Sequence, residues 1–133
     1  MRAFLAALLI LPGASIAGEI AELAPLSDVP REDCLRVRSI RGMEIMNQEM
    51  LIVRGSFDRY WINRLPARCA GLRPDMVLSL DVYGNQVCRN DRFSAKDRGL
   101  MHMGMGASCR WGAFEPVTIE QVNVLRQSLA EAS

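Results

Sequence analysis

The chain has one histidine, one lysine, no long apolar run and almost no surplus charge of either sign. Each scarcity removes a class of function. His102 is the only imidazole, and there is no G-x-S-x-G elbow, H-E-x-x-H helix or glycine-rich phosphate loop. The common hydrolase, zinc-peptidase and nucleotide sites therefore have nothing to build from, and the chain is not expected to be an enzyme. Asp58, Asp75, Asp81 and Asp91 each have an arginine nearby, and the expectation is solvated or ion-paired carboxylates rather than a two-acid site. No segment approaches the roughly 20 apolar residues that a membrane-spanning helix needs, so stable membrane insertion is not expected. Beyond the first seventeen residues, acidic and basic side chains balance at 15 each. Such a balance provides no strong field to recruit nucleic acid or an anionic membrane.

The first seventeen residues have the pattern of an export signal. Arg2 supplies a positive start, "AFLAALLIL" an apolar run too short to span a bilayer, and Ser15 and Ala17 the small residues of a cleavage site. Cleavage is expected near Ala17. Residues 18–32 contain two prolines among acidic and small residues and suggest a flexible leader. Residues 33–133 then form one domain of modest core.

Within that domain "CLRVRSI" alternates apolar and basic residues, as a half-buried strand does. "MEIM" and "EMLIVRG" flank Asn47 and Gln48 as two arms of a hairpin, and "FDRYWINRL" pairs back as a further strand. "LPARCAGLRPD" has the proline and glycine content of a loop. "MVLSLDVY" and "QVCRNDRF", joined by Gly84 and Asn85, form the clearest hairpin signal, because both turn residues tolerate positive φ. "RWGAF" is a candidate last strand. The segment "PVTIEQVNVLRQSLAEAS" predicts a C-terminal helix: Thr118 and Gln121 match a capping box, Val117 and Val122 a hydrophobic staple, and Val122, Leu125 and Leu129 one apolar face. The expected fold is mainly β with one C-terminal α-helix, a small antiparallel barrel or curled sheet stapled by disulfides.

Cys34, Cys69, Cys88 and Cys109 contain no C-x-x-C pair of the kind used by zinc ribbons or thioredoxin-like sites, and an even count in an exported chain predicts two disulfides. Three pairings are possible. Placing the cysteines on the expected elements favours Cys69–Cys88, pinning the proline-rich loop to the central hairpin, and Cys34–Cys109, joining the ends of the domain.

The order "DC" opening a strand, "RG" before a hairpin, "RYW" in an arginine-flanked strand, "CAGLR" in a loop, "VC" after a hairpin and a cysteine ahead of "PVTI" resembles an uncharacterised family of small exported bacterial proteins, grouped as a domain of unknown function. The resemblance spans about Asp33 to Leu125. It implies a periplasmic or secreted bacterial protein in which the four cysteines are structural, and it implies no activity.

Two constellations are candidate binding sites. Fifteen of the sixteen basic residues are arginine, and nine of them lie between Arg31 and Arg73 against five acids. Arg36 and Arg38 are expected on one strand face, and Arg59 and Trp61 on a face of another. Guanidinium forks match carboxylates and phosphates, and arginine beside an aromatic ring is the composition of an interface hot spot, or of a site that grips a sugar or anionic polymer. The plainer sources of the pattern are the codon usage of a GC-rich genome, solvated arginine ends over sheet edges and a core Trp61. The second constellation is "MHMGMGASC", where Met101, His102, Met103 and Met105 could wrap a Cu(I) ion with soft thioether and imidazole ligands. An adaptable loop without metal is the favoured reading, since methionine also fills gaps in cores. The sequence thus predicts a non-enzymatic binding or structural module without cofactor, whose partner is an unknown protein or anionic ligand in the exported compartment, with copper binding as the alternative.

Overall fold

Alternation of apolar and polar residues decides which elements form, and cross-strand neighbours decide how they join. The computed structural model describes residues 29–82, 84–98 and 106–132. Its elements are β1 (Cys34–Arg36), β2 (Ile40–Ile45), β3 (Met50–Gly55), β4 (Tyr60–Arg64), β5 (Val77–Leu80), β6 (Gln86–Cys88), β7 (Arg92–Lys96), β8 (Ala107–Arg110), β9 (Phe114–Val117) and α1 (Ile119–Ala132). Short 3-10 turns, Val37–Ser39 and Ser56–Asp58, follow β1 and β3.

The strands form three antiparallel sheets, ordered β2-β3-β4-β9, β5-β7-β8 and β1-β6. The expected class, mainly β with one C-terminal helix and two disulfides, holds. The sheets are not closed into a barrel, so a curled sheet describes the architecture better. β3, "MLIVRG", is apolar on both faces because it is covered on both. Met50 and Ile52 pack with Ile62 and Val122 under the helix, while Leu51 and Val53 join Trp61, Phe93, Trp111 and Phe114 in the main core. Phe93, Trp111 and Phe114 form a tilted aromatic run, with centroids 4.7 and 5.6 Å apart.

The β2–β3–β4 meander matches the sequence expectation, including the reversal around Asn47 and Gln48. Thr118 caps the helix as anticipated: its Oγ1 accepts from the Gln121 N–H at 3.2 Å, and its own N–H donates to Gln121 Oε1 at 2.8 Å. Val122 is fully buried and Leu125 packs beside it, whereas Leu129 is only half-buried.

The central hairpin is not formed. Gly84 does take the positive φ of a turn (75°), but β6 turns away from β5 and pairs with β1, while β5 pairs with β7. The reason is burial. Pairing β1 with β6 sets Leu35 opposite Val87, and both side chains are buried in the main core. The same register places Cys34 directly opposite Cys88, with Cα atoms 4.0 Å apart. The disulfides are therefore Cys34–Cys88 and Cys69–Cys109, not the expected Cys69–Cys88 and Cys34–Cys109. The second bond ties the proline-rich loop to β8. The last strands also differ from the expectation, since "RWGAF" contributes the last residue of β8, the turn between β8 and β9 and the first residue of β9.

Glu32, the last residue of the expected leader, is joined to the fold. Glu32 exchanges two backbone hydrogen bonds with Phe114, at 2.7 and 2.8 Å.

Candidate arginine-lined binding site

Arg36 is the last residue of β1, and Arg38 lies in the 3-10 turn that follows rather than on a continued strand. The turn replaces the expected strand face, and Ser39 Oγ donates to the Arg36 carbonyl at 2.7 Å across it. Arg36 and Arg38 nevertheless line one cleft. Arg36, Val37, Arg38, Val82, Gly84, Asn85 and Gln86 enclose an open volume of about 730 Å³. Its walls are the β1–β6 ribbon, in which Arg36 stands opposite Gln86, and the turn ahead of β6, where the Asn85 carbonyl accepts from the Val37 N–H at 2.9 Å. Neither guanidinium has a hydrogen-bond or ion-pair partner among the described residues.

Arg38 also borders a second, smaller pocket of about 270 Å³, lined by Ser39, Ser56, Phe57, Arg59 and Trp61. Here the sequence pairing of Arg59 with Trp61 is realised in space. The Arg59 guanidinium carbon lies 4.9 Å from the centroid of the Trp61 ring, within cation–π range. Trp61 itself is only 2% exposed, so it serves as a buried platform and not as a surface for a ligand. Glu32 steadies the pair from the other side: its carboxylate accepts a short hydrogen bond from Trp61 Nε1 and lies 3.9 Å from Arg59. Gly55 makes the ring position accessible, since a side-chain carbon there would lie 2.5 Å from the indole.

The turn above this pocket was not singled out in the sequence. β3 and β4 are joined through Phe57 and Asp58, which both have positive φ (58° and 56°), as a primed hairpin turn requires. Asparagine and glycine adopt that region at little cost. A phenylalanine there stores strain of about 1 kcal/mol or more, and the side chain is 96% exposed. "SFDR" between two strong strands, where Asn-Gly would be ordinary, is the local signal that could have marked it.

Comparison with family models, curated proteins and solved structures finds no match to this chain. Its functional reading therefore rests on its own geometry. Met101, His102, Met103 and Met105 lie outside the described residues, and among the described residues no group of three or more histidine, cysteine or acidic side chains is arranged to hold a metal ion. Of the acidic residues considered above, Asp81 follows β5 and its N–H donates to the Arg92 carbonyl at 3.4 Å. Asp58 is on the β3–β4 turn, Asp75 is 3.3 Å from Arg73, and Asp91 accepts from the Cys88 N–H at 2.7 Å. No helix among the described residues is long and apolar enough to cross a membrane.

Proposed function

We propose that this chain is an exported, non-enzymatic binding module that holds an anionic ligand on its arginine face. The observation that carries the reading is that Arg36 and Arg38, neither with a hydrogen-bond or ion-pair partner among the described residues, line one cleft together with Asn85 and Gln86. An arginine on a protein surface commonly finds a carboxylate. Two that find none, set in a concave wall with amide groups, form a ready donor array for carboxylate or phosphate oxygens. Arg38 extends the array into the pocket that holds Arg59, which suits a ligand with several anionic groups better than a single ion. Export belongs to the same reading, because two disulfides fit an oxidising compartment, as does the proposed kinship with small exported four-cysteine bacterial proteins.

Calorimetric titration with poly-L-glutamate at low salt tests the reading. The wild-type protein is expected to bind, and replacing Arg36 and Arg38 with glutamine to weaken binding roughly tenfold or more. The same loss of charge at Arg73 and Arg92, which line neither cleft, should change it little. Equal losses from both double variants would reduce the effect to net charge and sink the proposal.

A further inference from the structure

The tip of the β3–β4 hairpin is braced from below. Gly55 N–H donates to the Arg59 carbonyl at 2.7 Å, closing the hairpin beneath the turn. Ser56 Oγ accepts from Arg41 Nε at 3.2 Å and donates to the Ser39 carbonyl at 3.4 Å, which fastens the turn to the chain around β2. On this support Phe57 projects into solvent. It belongs to neither apolar cluster, and its backbone conformation is one that its side chain disfavours. A scattered exposed apolar residue needs no explanation. A bulky ring held in a strained turn on a braced support does, because in the free protein it neither eases the turn nor fills the core.

We propose that Phe57 is a preorganised anchor that inserts into an apolar socket on a partner protein, with carboxylates on the socket's rim facing Arg38, Arg41 and Arg59. The proposal rests on the anionic-ligand reading above and names the ligand's source as a protein surface. Charge around the tip selects this occupant. Arg38 and Arg59 line the pocket that Phe57 borders, and Arg41 bonds the adjacent Ser56, so an acidic rim is complementary. Asp58 at the apex argues against a flat anionic membrane, which would meet that carboxylate as soon as Phe57 entered. A socket can leave Asp58 at its edge, in water. Rigid aromatic anchors beside arginine are also the residues that dominate protein interfaces, since little side-chain freedom is lost on docking.

The test uses the intact chain and a displayed library of random peptides as the probe. Peptides selected on the wild-type protein are expected to combine a large apolar residue with neighbouring aspartate or glutamate, and to bind Phe57→Asn more weakly by roughly tenfold or more. Phe57→Asn should also raise the melting temperature, because asparagine suits the turn. A fall in melting temperature would mean that the ring supports the fold, and overturns the anchor. So would a library that yields no binder, or Phe57-dependent binding to phosphatidylglycerol vesicles without peptide binders. Peptides indifferent to Phe57→Asn but weakened by Arg36→Gln and Arg38→Gln overturn the anchor and leave the arginine reading intact. Peptides that need Phe57 and ignore Arg36, Arg38, Arg41 and Arg59 overturn the acidic rim, while the poly-L-glutamate titration decides the arginine reading separately.

Discussion

Asn63 and Gly112 form a contact on which the domain's interior depends. Asn63, on β4, is fully buried. Its amide donates to the Gly112 carbonyl and accepts from the Gly112 N–H, both at 2.8 Å, so one side chain imitates the two bonds of a neighbouring strand. Gly112 has no room for a side chain, because a Cβ there would collide with the Arg64 carbonyl. Asn63→Ala leaves a buried donor and a buried acceptor unpaired, and the expected cost is about 2–5 kcal/mol in denaturant unfolding. A loss well under that range would show that water reaches the Gly112 backbone. A glycine substitution of the other kind acts on function. Gly55→Ala would push Trp61 from its place, removing the surface on which Arg59 rests. Weakened binding of poly-L-glutamate with a cooperative unfolding transition is the expected result. The value of Gly55 was not legible in the sequence, where it looked like the end of a strand. Its role appears only once a ring six positions later is folded back over it.

Among the elements, the helix was the most legible, yet of its fourteen residues only Val122 is buried. Its start is written locally, because a capping box joins Thr118 to Gln121 three residues on. How firmly it docks is a tertiary matter. Val122 and Leu125 hold it to the sheet, and Arg126 adds an exposed ion pair with Glu44 at 2.6 Å, of a kind worth about 0–1 kcal/mol. Thr118→Ala should cost about 1 kcal/mol and should appear first as faster amide exchange in residues 119–123. Uniform loss of protection across the domain would show instead that helix and sheet unfold as one unit. Deleting residues 118–133 uncovers Met50, Ile52 and Ile62, and the truncated chain is expected to aggregate. A soluble truncation with an unchanged transition would mark the helix as an appendage. The same scale explains the failed hairpin. Alternation in "MVLSLDVY" and "QVCRNDRF" says that each strand has a buried face, and the turn residues say that the chain bends between them. Neither says which strand will lie alongside.

For the whole molecule the two disulfides do separate work. Cys34–Cys88 closes a sequence separation of 54 and Cys69–Cys109 one of 40, each worth about 4 kcal/mol on the chain-entropy estimate. Either figure is comparable to much of the stability of a domain of this size. Only Cys34–Cys88 holds together the ribbon that forms the candidate cleft. Cys34→Ala with Cys88→Ala should therefore lower both the unfolding free energy and the affinity for poly-L-glutamate. Cys69→Ala with Cys109→Ala should lower stability while leaving affinity near the wild-type value, provided binding is measured below the variant's transition. Equal loss of affinity in both would show that the cleft depends on global stability rather than on the local staple.

What the sequence determined by itself was local and periodic: the β2–β3–β4 meander, the proline-rich loop, the capped helix, an even number of cysteines suited to pairing and an arginine-rich first half. Short-range physics decides these, through side-chain alternation, backbone preference and hydrogen bonds over three or four residues. Tertiary structure alone decided that β6 joins β1, that Cys34 meets Cys88, that Arg36 and Arg38 share a cleft with Asn85 and Gln86, and that Phe57 stands clear of both cores. Each of those outcomes depends on which buried faces meet across long separations. Many partners could satisfy a strand's alternation, and packing the whole chain around Trp61, Phe93, Trp111 and Phe114 selects one.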